Sequence, residues 1–190
     1  MKARSSRELI DKLIDRTQSN LEVAREMLAL PVDTLHLRPR PEAWNALECL
    51  EHLNRYAEYY NPEIRRRLES TKHRTQTESF TSTRLGNYFA AGMKPGPQTK
   101  KISTFKSMNP HQDDLGVEVV HTFIKYQEDM LELLEAARSV DLTRTKTGIS
   151  ITNLIKLRLG DTLRVVVYHN WRHVAQAQAA MAQSTTPIAS

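Results

Sequence analysis

The pentapeptide HNWRH, residues 169–173, places two histidines four positions apart near the end of a stretch with helical periodicity. On an α-helix, positions i and i+4 lie about 40° apart around the axis and about 6 Å along it, so two such imidazoles can reach one ion. His169 and His173 thus have the spacing of a helical metal-binding pair. Gln176 follows His173 by three positions and shares their face. A third nitrogen is available from His52, which stands beside the core-type residues Leu50 and Leu53 in an earlier helical stretch. A histidine on an apolar stripe needs a hydrogen-bonding partner or a metal to justify its burial. If the two helices are neighbours, one imidazole faces two. Three nitrogens on one ion leave positions open for water or substrate, as in catalytic rather than structural metal sites. The spacing also allows a plainer reading, in which these are core histidines bonded to backbone or side-chain oxygens.

Four long segments with helical spacing would have to position these residues. The first runs from about Ser6 to Leu30, with Leu9, Ile10, Leu13, Leu21, Ala24 and Leu28 on one face, and stops at Pro31. LRPRPEAW, residues 37–44, reads as an extended connector. The second helix starts at an Asn45 N-cap with Glu48 as its capping-box partner and Trp44 as a staple. Pro62 predicts a kink or short break near Tyr59–Asn61, and the arginines at 65–67 then read as an exposed turn. Residues 71–112 are polar and carry Pro and Gly, which predicts a long irregular connection of the kind that serves as a lid or functional loop. The third helix is expected from Asp113 or Asp114 to about Val140, and the fourth from about Gly160 to Gln183, before a frayed tail over 184–190. Between them, β-branched residues in DLTRTKTGISITNLIKLRL predict a short extended piece. Four helices with one apolar stripe each imply an all-α fold, a four-helix bundle forming a single domain over residues 1–190.

Composition narrows the function classes. A chain of 190 residues with 39% hydrophobic and 26% charged residues supports one well-buried core. No apolar run approaches the roughly 20 residues of a membrane span, which argues against a membrane protein. The first residues lack the apolar core of a secretory signal, and Cys49 is the sole cysteine, so the expected location is cytoplasmic and no intrachain disulfide can form. Between Lys72 and Lys106 there are seven Lys and Arg residues against Glu78 alone, more positive than the +5 of the whole chain. A solvated basic loop explains this stretch. No nucleic-acid-binding signature accompanies it, so nucleic acid is not the expected partner.

The segments RPEAWNALECLEHLNRYAEYYNPEI and LGDTLRVVVYHNWRHVAQAQ resemble the DinB-like superfamily, which includes metal-dependent YfiT-type proteins and thiol-dependent transferases. The matching positions are Trp44-Asn45 at a helix start, His52-Leu53, His169, Arg172, His173 and Gln176, and the order and spacing agree over nearly the whole chain. The resemblance implies that His52, His169 and His173 bind a divalent metal, zinc or nickel. It further implies an enzyme that activates a small thiol or a water for transfer or hydrolysis, with a small-molecule substrate and, by analogy, a homodimer. A non-catalytic metal-binding module for stress response or interaction is the alternative.

Other residues have simpler explanations. Glu48 is accounted for by its cap, and Cys49 by core packing. His121 is a remote candidate for an extra ligand or base. His36, His73 and His111 lie in or beside loops and are expected in solvent, while Asn170 and Arg172 flank the paired histidines with supporting or surface roles open.

Overall fold

The computed structural model describes residues 3–96 and 104–182, so Lys100 and Lys101 of the basic stretch and the expected tail lie outside the described residues. In chain order, β1 (Arg4–Ser5) leads into α1 (Ser6–Leu28), a short α2 (Val32–Leu35) and α3 (Ala46–Ser70). β2 (Ser79–Phe80) and α4 (Arg84–Met93) precede a 3₁₀ turn at Lys106–Met108 and α5 (Glu118–Ala137). The β3–β4 hairpin (Lys146–Ile149 and Thr152–Arg158) then feeds α6 (Leu159–Ala182). The described residues thus form six α-helices and two small antiparallel sheets, β1 with β2 and β3 with β4.

The long helices pack as their apolar stripes require. α1 and α3 each contact both α5 and α6, which meets the condition the sequence set for His52 to face the pair on α6. One buried cluster includes Leu9, Leu13, Ile64, Leu134 and Leu163, and a second includes Met27, Leu50, Phe123, Val174 and Ala177. Along α6, His169 lies between Val167 of the first and Val174 of the second.

The start of α3 is built as its sequence predicts. The Glu48 amide donates to Asn45 Oδ1 at 2.8 Å, and the Asn45 amide donates back to Glu48 Oε2 at 2.9 Å. Several expected boundaries move. α3 runs unbroken through Pro62, so the arginines at 65–67 belong to its last turns rather than to a turn after a break. Pro62 and Glu58, whose carbonyl loses an N–H partner, are both exposed, so water can serve that carbonyl. α5 starts at Glu118, not at Asp113 or Asp114, and Asp113 instead pairs with Arg55.

The stretch expected to be irregular contains α4. Thr83 caps it by accepting from the Gly86 amide at 2.8 Å, and it ends just before Lys94-Pro95. A Cβ at Gly86 would fall 2.2 Å from the Asp161 carboxylate, so only glycine lets α4 lie this close to α6. The fully buried Asp161 accepts from the Thr83 amide at 3.0 Å and Thr83 hydroxyl at 3.1 Å, and Arg164 joins this group to Asn87 at 3.1 Å. The expected extended piece is the β3–β4 hairpin. It is latched to α3 by the Gly148 amide on Glu63 at 2.7 Å and by the Ser150 amide on the Tyr60 hydroxyl at 3.3 Å.

Candidate metal centre

His52 lies on the second turn of α3, buried against Leu50 and Leu53. Its Nδ1 is 2.6 Å from the carbonyl oxygen of Met108 in the 3₁₀ turn. A carbonyl only accepts, so Nδ1 carries the proton and Nε2 is left with a free lone pair. That Nε2 stands 3.2 Å from Nε2 of His169. On the same helix as His169, His173 has its Nδ1 3.0 Å from Oε1 of Gln176, which fixes its tautomer in the same sense. One nitrogen from each of the three residues lies within 4.8 Å of the others.

Both readings of the sequence are therefore partly met. Oxygens do hold two of the histidines, but through Nδ1, and this leaves ring nitrogens turned toward a common centre. Two nitrogens on one tetrahedral zinc, each at about 2.0–2.1 Å, would be about 3.3 Å apart. The 3.2 Å between His52 and His169 fits that edge. The donor set suits a divalent ion, and the cluster could hold one.

The protonation states agree. Burial lowers the pKa of His52 to about 4, with the positive charges of Arg55 and Arg172 acting in the same direction, while the Met108 bond opposes the shift. Burial lowers His173 to about 3, helped by His52 and Arg172. His169 is also held well below its ordinary value, first by burial and then by the neighbouring His173 and His52. All three are neutral at pH 7, the form that binds metal.

Aromatic rings wall the cluster. Trp44 has its ring centroid 4.7 Å from that of His52 and 5.7 Å from that of His173, and its indole N–H donates to Asn109 at 3.2 Å. Tyr56, one turn past His52, presents its ring edge-on at 5.0 Å to both His52 and His169. A cavity of about 350 Å³ opens beside the cluster, lined by the three histidines with Trp44, Tyr56 and Arg172. Arg172 bonds the Gly92 carbonyl at 3.1 Å, tying α6 to the end of α4.

The remaining candidates separate cleanly. Glu48 is wholly buried but holds a structural junction: its carboxylate accepts from Arg38, from the Asn45 amide and from the Gln112 amide. Cys49 is buried, and burial pushes its thiol pKa far up, so it is a core residue and not a nucleophile at neutral pH. His121 is exposed on α5, outside the cluster, and His36 and His73 are exposed as expected. His111 is not: it is half-buried, 3.6 Å from Glu48 and 3.4 Å from Arg38. Asn170 turns away from the cluster and donates to Gln127 on α5 at 3.2 Å. Trp44's place beside the cluster, Tyr56 and the Met108 carbonyl were not foreseen. Tyr56 was within reach, because its i+4 relation to His52 repeats that of His173 to His169.

The fold and cluster define a mainly helical protein with a candidate three-histidine metal centre where two long helices meet. The family model of the DinB superfamily matches residues 13–177, and the chain belongs to that superfamily. Compared with the curated proteins and with the solved structures, the chain finds no match.

Proposed function

We propose that this protein is a metal-dependent enzyme that uses His52, His169 and His173 to hold a divalent ion, zinc or nickel, and activates a small thiol or a water for transfer or hydrolysis. The observation that carries this reading is the convergence of three neutral imidazoles, two with Nδ1 tied to an oxygen, beside a cavity of about 350 Å³. α1, α3, α5 and α6 are read as a four-helix bundle making one domain, with the described parts of the 71–112 connection serving as its lid.

When bound, a divalent ion supplies Lewis acidity, which makes a thiol or water in contact with it more acidic. The chain's own residues do the rest. Met108 and Gln176 orient the imidazoles, and Trp44 and Tyr56 shield them from bulk water. Arg172 places positive charge on the cavity wall, which favours an anionic nucleophile or substrate there.

The test is metal analysis of untagged protein beside His52→Ala, His169→Ala and His173→Ala. The wild type is expected to retain close to one zinc or nickel per chain and each variant far less. Equal metal content in all four proteins would overturn the assignment. Loaded protein assayed with small thiols plus electrophiles, and with esters, then separates transferase from hydrolase. Inactivity with both would favour the non-catalytic module.

A further inference from the structure

A second chamber adjoins the first cavity at His169. It measures about 80 Å³ and draws its walls from four elements: Ala57 of α3, Phe89 of α4, Ile149 and Leu157 of the hairpin, and Val165 and Val166 of α6. Tyr56, Met93 and His169 line both spaces. The two spaces thus share three side chains as a common wall, one of which is a proposed ligand.

Nothing in the histidine chemistry requires this space. Ile149 and Leu157 are nearly fully buried, and the Ser150 amide and hydroxyl both donate to Tyr60, each at 3.3 Å, holding the hairpin over it. An engineered apolar cavity of about 150 Å³ stays dry and takes benzene, a six-carbon ring. By that measure 80 Å³ accepts about three carbons. A larger or charged group does not suit it.

We propose that this chamber binds a short alkyl group, of about two to four carbons, on a ligand whose donor atom sits at the three-histidine centre. The bound molecule is thereby specified as bipartite: a metal-binding head at His52, His169 and His173, and a compact hydrocarbon substituent beside His169. The head rests on the metal reading above; the chamber's affinity for hydrocarbon does not.

Two measurements keep those parts distinct. Zinc-loaded protein is titrated calorimetrically with n-alkanethiols from methanethiol to hexanethiol. Affinity is expected to rise about fourfold per methylene, the equivalent of about 0.8 kcal/mol, and to level off at about four carbons. Val165→Phe, which fills the chamber from α6, should flatten that rise without lowering zinc content. Ile149→Ala, which enlarges it, should move the plateau to longer chains. In parallel, unloaded protein is titrated with n-alkanols while the methyl NMR signals of Val165, Val166 and Ile149 are followed, with propan-1-ol expected to shift them more than methanol. If zinc does not bind but the alkanol response appears, the metal reading fails and the hydrocarbon chamber stands. An affinity indifferent to chain length in wild-type protein, with no selective methyl shifts, would overturn the proposal.

Discussion

His52 illustrates how a single side chain is committed by its outer bond. The Met108 carbonyl at 2.6 Å decides which ring nitrogen carries the proton, and so which one faces His169. The His169–His173 pair was legible because both residues lie on one uninterrupted helix, where spacing alone sets geometry. Met108 was not, because its carbonyl belongs to irregular chain 56 residues away and no periodicity points to it. Trp44 supplies a readout at this scale. Its ring centroid is 4.7 Å from that of His52, whereas Trp171, the only other tryptophan, lies over Arg16. Addition of nickel is expected to quench a large share of the fluorescence in wild-type protein. In Trp44→Phe the residual emission should respond little, and equal quenching in both proteins would mean the ion binds elsewhere.

At the scale of elements, the start of α3 gathers more than a cap. Glu48 joins Arg38 from the preceding connector to Gln112 from the approach to α5. The capping box could be read from Asn45 and Glu48 alone, since both partners lie within one turn. Arg38 could not, because it enters through a proline-bearing connector whose path no pattern defines. Removal of the carboxylate in Glu48→Ala leaves the arginine without its buried partner and is expected to cost about 3–5 kcal/mol in urea unfolding. Burial pushes the Glu48 pKa up, but Arg38 and the two backbone amides outweigh it and hold the folded value below 4.5. Its contribution is therefore complete above about pH 4.5 and is lost as pH falls through that lower folded value. Unfolding measured between pH 7 and pH 3 should show a shallower acid loss in Glu48→Gln than in wild type; parallel curves would contradict this. α4 was legible in principle: Thr83 is an N-cap residue and Pro95 lies just beyond its end. The polar, glycine- and proline-bearing composition of the surrounding 71–112 stretch obscures so short a helix.

Across the whole molecule, the same histidines that unite α3 and α6 leave a buried neutral cluster where the two helices meet. A metal bound only by the folded state adds stability by mass action, about 2.7 kcal/mol at a hundredfold excess over Kd. For a chain of this length that corresponds to roughly 5–11 °C in Tm. Zinc is therefore expected to raise the melting temperature of the wild type by this order and to leave that of His52→Ala unchanged, as followed by circular dichroism. The helical class and helix order were readable because apolar periodicity persists over twenty or more residues. The hairpin latch and the junction of Asp161 and Arg164 with Thr83 and Asn87 were not, since they depend on contacts between segments distant in sequence. No helix among the described residues is long and apolar enough to cross a membrane.

The sealed position of Cys49 carries a further consequence. It is the chain's sole sulfhydryl, wholly buried and held in its protonated form. A catalyst that handles electrophiles risks alkylating itself, and each such event removes a molecule from service. In the thiol form of the function proposed above, the reactive sulfur is a visiting one, consumed and replaced with each turnover, while the protein's own stays out of the traffic.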